Sequence, residues 1–186
     1  MQLTAIRRRK EILMKNSVIE TLCSRRSCRH FDGRKVDRET LDKILEAGTF
    51  APSGMGRQSA IMIAIDDPET VHMLSELNAK IMGHDGDPFY GAATVIVVLA
   101  DRSVPTYLYD GALVMGNLMN AAEALGVNSC WIHRAKEEFA LPEGQALLKK
   151  LGITGDYEGI GHCVLGYGEK VPAKPRKDHY IYRIEA

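Results

Sequence analysis

The stretch "DGALVMGNLMNAAEALGVNSCWI", residues 110–132, decides the fold of this chain. Residues 110–126 are apolar almost all round a helical circumference, so the predicted helix has more than one face to bury. Gly111 and Gly116 lack side chains on that helix, which would let a second helix approach closely. After Gly126 the pattern changes, and "NSCWI" (128–132) reads as a strand. A central helix running into a strand predicts a sheet covered by helices.

The flanking segments extend this alternation in both directions. Upstream, "ATVIVVLA" (93–100) is too short and too β-branched for anything but a buried strand. It follows a strand at "SAIMIAI" (59–65), a helix at 68–82 and a loop at "GHDGDPFYG" (83–91). Asp37 is placed to cap a helix reaching about Thr49, with Leu41, Ile44, Leu45 and Gly48 on one face, and "APSGMGRQ" (51–58) breaks it. Downstream come a helix through "EGQALLKKLG", a strand at "GHCVLGYG" (161–168) and an extended, Pro-interrupted tail. The apolar pattern Val18, Ile19, Leu22, Cys23 makes Met14 the expected start of a single domain, residues 14–186, with 1–13 as an extension.

Composition narrows the class. The chain has 186 residues, 45% hydrophobic and 26% charged, as in an ordinary globular protein. Its apolar runs are about half the length of a membrane span, and the N-terminus lacks a secretory leader pattern, so the expectation is a cytoplasmic protein without a membrane partner. Cys23, Cys28, Cys130 and Cys163 form no C-x-x-C pair and read as reduced thiols. Net charge is zero, which gives no reason to expect nucleic acid, but it conceals an asymmetry. Residues 1–38 hold eleven Lys/Arg against four Asp/Glu, and residues 170–183 hold five against one. Residues 39–169 hold eight bases and eighteen acids.

"SRRSCRHF" (24–31) concentrates Arg25, Arg26 and Arg29 beside Ser27 at the end of the first helix. Cations there could simply answer the helix dipole at an exposed C-terminus. The functional reading is a phosphate clamp, since guanidinium groups give bidentate contacts and Ser27 adds a hydroxyl. "KPRK" (174–177) offers a second cluster, and a bound polyanion would offset the repulsion between the two. "APSGMG" matches neither a P-loop nor a dinucleotide fingerprint. The six histidines have no metal-ligand spacing, and no serine lies in a nucleophile elbow.

In order and spacing, "SRRSCRHFDGRKVDRETLDKILEAGTFAPSGMGRQ", "DPFYGAATVIVVLAD", "DGALVMGNLMNAAEALGVNSCWI" and "GYGEKVPAKPRK" resemble the FMN-dependent nitroreductase family, from about Met14 onward. The resemblance implies an α+β sandwich with a central mixed sheet flanked by helices, in an intertwined homodimer with FMN at the interface. It implies that Arg25, Arg26 and Ser27 hold the FMN phosphate and ribityl chain and that Arg29 reaches the N1 edge of the ring. Lys174 and Arg176 would complete the clamp, Pro52 and Ser53 would come from the partner chain, and Asn78 would be a polar contact to the ring. A backbone N–H at His133 or Arg134 would meet flavin N5. The implied activity is NAD(P)H-dependent, ping-pong hydride transfer to a small electron-poor acceptor such as a nitroaromatic or quinone, with no side-chain acid or base required. A specialised family reaction such as reductive dehalogenation or flavin breakdown stays open, as does a non-enzymatic flavin or nucleotide-binding module. Gly56, Ser59 and Ala60 stand where members often carry Asn, Pro and Trp, and His133-Arg134 replaces small or acidic residues.

Overall fold

A computed structural model describes residues 17–169 and 171–185. The expected extension at 1–13 and the start at Met14 lie outside the described residues. Helix α1 spans Ser17–Ser24, α2 Arg38–Thr49, β1 Ala60–Ile65, α3 Pro68–Met82, β2 Thr94–Asp101 and α4 Tyr107–Ala124. They are followed by β3 Asn128–Ile132, α5 Ala135–Ala140, α6 Pro142–Lys150 and β4 Tyr157–Gly166.

The four strands pair in the order β1-β2-β4-β3. All three pairings are antiparallel. Among the described residues, the parallel component of the expected mixed sheet is reduced to one isolated bridge, Ser27 with Ser129. β2 is buried on both faces, as its unbroken Val/Ile run requires: Val95, Val97 and Leu99 face one apolar core, and Ile96, Val98 and Ala100 face the other. The first core is closed by Val71 and Leu74 of α3, Phe139 of α5 and Leu148 of α6. The second is closed by Leu41 and Ile44 of α2 and by Met115 and Leu118 of α4.

The local signals act as chemistry demands. Asp37 accepts from Thr40 N at 3.0 Å and caps α2. Asp67 does the same for α3 through Thr70 N at 2.9 Å, with Pro68 in the first turn and Gly83 in the left-handed conformation at the end. Three expectations change. Gly111 is approached by Ile160 of β4 rather than by a helix, and Gly116 has no neighbour within 4 Å of its missing Cβ. β4 begins at Tyr157, ahead of the predicted start, because Gly159 and Gly161 hide its first half from β-propensity. Those glycines are where the Ala135 backbone and the Trp131 indole press on the strand. Helix α5 has no counterpart in the sequence reading; at six residues it is too short to display a periodic pattern.

Candidate active site

The end of α1 runs directly along β3. Cys28 N donates to Ser129 O at 2.9 Å, which brings the "RRSCR" segment beside "NSCWI". The arginines then separate by role. Arg26 Nη1 donates to Cys23 O at 2.8 Å and Arg25 O at 2.6 Å, so it satisfies carbonyls at the C-terminus of α1. Arg25 turns inward: its Nη1 is buried without a hydrogen-bond partner, and so is the nearby strand's Ser129 Oγ. Arg29 is exposed. Burial pushes the Cys130 thiol up, and the charges of Arg29 and Arg25 and the hydroxyl of Ser27 act against that rise. The Ser27–Ser129 bridge and the Cys28 N–Ser129 O bond set the segment carrying Arg25, Ser27 and Arg29 alongside β3. A buried guanidinium donor without a partner is costly unless an anion completes it, and the planar fork of arginine suits phosphate.

The other end of β3 carries His133 and Arg134. Arg134 has φ 78° and ψ 7°, left-handed backbone that a non-glycine residue adopts only when its surroundings impose it. Two bonds impose it here. Asn78 Nδ2 of α3 donates to His133 O at 2.8 Å, and Glu138 N donates to Arg134 O at 3.0 Å in the first turn of α5. Asn78 also donates to Glu138 Oε1. The second carboxylate oxygen of Glu138 lies 3.1 Å from His162 Nε2 of β4, near enough for an ion pair although not aligned as a hydrogen bond. Asn78, Glu138 and His162 have no exposed surface. Glu138 and His162 were absent from the candidate site residues read from sequence; only the missed helix α5 could have pointed to the carboxylate.

Pro52 and Ser53 belong to a different cluster, in the loop between α2 and β1. Buried Asp110 of α4 accepts from Gly54 N at 2.9 Å, Ser59 Oγ at 2.7 Å and Thr106 Oγ1 at 3.1 Å. Ser59, one of the departures from the family pattern, thus anchors the loop. A cavity of about 160 Å³ lies beneath it, lined by Pro52, Ser53, Met62 and Val114 among others. Lys174 and Arg176 sit on the exposed tail. A cleft of about 920 Å³ between α3 and the 83–93 loop contains none of the predicted site residues. The cluster at β3 has the unsatisfied donors and imposed backbone that mark a functional site; the cleft's Asp87 is already occupied by Ser75 Oγ, Phe89 N and Gly91 N.

A statistical description of the nitroreductase family matches residues 22–88, from the end of α1 through α3. A Bacillus subtilis protein named as an NAD(P)H nitroreductase is 30% identical over 165 residues, covering 83% of this chain and 77% of that protein. The chain belongs to the nitroreductase family. An Archaeoglobus fulgidus protein named as an NADH dehydrogenase or NAD(P)H nitroreductase is 29% identical over 167 residues, covering 87% of this chain and 88% of its own. The crystal structure of a Bacteroides fragilis nitroreductase with bound FMN superposes with a TM-score of 0.83 at 28% identity, covering 92% of this chain and all of that one. The α+β architecture expected from the resemblance is thus the nitroreductase fold, and the chain is an oxidoreductase of that family.

Proposed function

We propose that this nitroreductase-family chain is an FMN-dependent oxidoreductase that takes reducing equivalents from NAD(P)H and delivers them to a small electron-poor acceptor, such as a nitroaromatic or a quinone. The observation that carries this reading is the buried, unpartnered Arg25 Nη1, on the segment that Ser27 and Cys28 hold against Ser129 of β3. It fits the FMN phosphate in chemistry, because a half-buried guanidinium is preorganised for a dianion. When bound, FMN supplies the hydride uptake and delivery of a ping-pong cycle.

The chain's own residues supply position and field. Arg25 and Ser27 bind the phosphate end, and Arg26 holds the end of α1 in place beneath them. Arg29 would direct positive charge toward the ring of a bound flavin, which would favour its more negative, reduced form. The His133–Arg134 backbone would offer an N–H to the ring of a bound flavin. Lys174 and Arg176 would complete the phosphate clamp, and Pro52 and Ser53 would reach the cofactor from the partner chain of a homodimer. That assembly is supported by exposed apolar surface on the single chain: Val18 and Leu22 of α1, Leu108 and Tyr109 of α4, and Tyr182 and Ile184 of the tail.

Absorbance of the purified protein tests the cofactor, and anaerobic bleaching by NADH and NADPH tests the activity. Arg25→Ala is expected to weaken FMN binding by about 1.5–3 kcal/mol, the scale of a hydrogen bond to a charged group, measured by flavin fluorescence titration. Equal FMN affinity in Arg25→Ala and the parent would remove the phosphate assignment. A flavin that binds and is not bleached by either nucleotide would leave a binding module without the activity.

A further inference from the structure

The geometry points to Asn78 as a positioning residue. We propose that the buried His162–Glu138–Asn78 network sets the direction of the His133–Arg134 peptide, and through it the hydrogen bond that the chain offers to the flavin ring. This rests on the reading that FMN lies against that segment.

Three polar side chains with no exposed surface are an expensive way to fill a core, and apolar residues of similar volume would pack as well or better. What the polar set supplies is direction. The amide of Asn78 stands between two acceptors, the Glu138 carboxylate and the His133 carbonyl. The opposite amide orientation would place its oxygen against both, so only one orientation is tolerated. The other carboxylate oxygen of Glu138 lies 3.1 Å from His162 Nε2, and the His162 ring packs against Phe89 with centroids 5.1 Å apart. The series therefore joins β4, α5, α3 and the end of β3, and terminates on one carbonyl. That carbonyl belongs to the peptide preceding Arg134, whose φ of 78° is the imposed backbone angle at this site. Glu138 acts twice, since its own N–H fixes the Arg134 carbonyl while its side chain orients Asn78. A carbonyl fixed on one side of a peptide fixes the N–H on the other.

The test compares Asn78→Ala, Asn78→Ser and Glu138→Gln with the parent in the full chain. Glu138→Gln keeps an oxygen that can accept from Asn78. Amide hydrogen exchange at residue 138, whose N–H donates to Arg134 O, measured without added flavin, is expected to accelerate about tenfold or more in both Asn78 variants and much less in Glu138→Gln. With FMN bound, the Asn78 variants are expected to shift the flavin midpoint potential and to slow reduction by NAD(P)H about tenfold or more. FMN affinity, set at the Arg25 end, should change less. Unchanged exchange and unchanged potential in a folded Asn78→Ser protein overturn the proposal. Faster exchange in the Asn78 variants of a protein whose parent binds no flavin would leave the network holding the peptide but overturn its role toward the ring, and would locate the failure in the cofactor reading.

Discussion

At the scale of single residues, adjacent arginines divide between two roles that their identity cannot distinguish. Arg26 satisfies carbonyls at the end of α1, whereas the Nη1 of Arg25 is buried without a partner. Asp110 is the comparable case among the acids. Burial pushes its carboxyl up, but donation from Gly54 N, Ser59 Oγ and Thr106 Oγ1 outweighs that and holds it below the usual carboxylate value. A folded pKa below the unfolded one means that the ionised group contributes stability fully present above the unfolded value, about pH 4, and lost as pH falls through the lowered folded value. Asp110→Asn is therefore expected to cost about 1–3 kcal/mol at neutral pH and to flatten the loss of stability below about pH 4. Thermal melts between neutrality and about pH 2 check both parts; an acid limb as steep as in the parent would assign it to other carboxylates.

At the scale of elements, β4 carries the greatest burden, since it pairs with both β2 and β3 and underlies α5. Its register with β2 shifts between Val98 and Leu99, opposite Gly161 and Gly159, and this irregularity coincides with the close approach of α5. A Cβ at Gly159 would run into the carbonyl of Ala135, which is backbone and cannot rotate aside. Gly159→Ala should therefore destabilise the fold by about 1–3 kcal/mol, read from urea denaturation. Because α5 carries Glu138, the same variant should also loosen the amides around Arg134. Wild-type stability would mean that α5 rides freely over the strand.

At the scale of the whole molecule, the tail and two helices leave apolar surface that a single chain does not cover. Residues 171–185 are exposed throughout, with Tyr180 67%, Ile181 70% and Tyr182 84% accessible. Such density of aromatic and branched side chains suits an extended segment laid on a second copy, and Lys174 and Arg176 would complete the phosphate clamp. Removing residues 171–186 is expected to shift the protein toward monomer in sedimentation velocity and to weaken FMN binding at least tenfold. A truncated protein that stays dimeric with unchanged FMN affinity would place the interface elsewhere.

The sequence by itself determined the elements whose signals are local. The β-branched run of β2, the Asp-capped starts of α2 and α3 and the turn at 51–58 need only nearest neighbours in the chain to be read. The family resemblance, carried by four ordered motifs, likewise needed no coordinates. Tertiary structure decided what depends on contacts between residues far apart in the chain. Glycines interrupt β4 because Ala135 and Trp131 press on it, and α5 is held by packing rather than by periodicity. Arg25 differs from Arg26 only through where the chain turns. Asn78, Glu138 and His162 come together from α3, α5 and β4, up to 84 residues apart by their numbers, and no spacing rule joins them. Local propensity acts over a few residues, whereas burial, which forces a polar side chain to find its one available partner, exists only once the layers have closed.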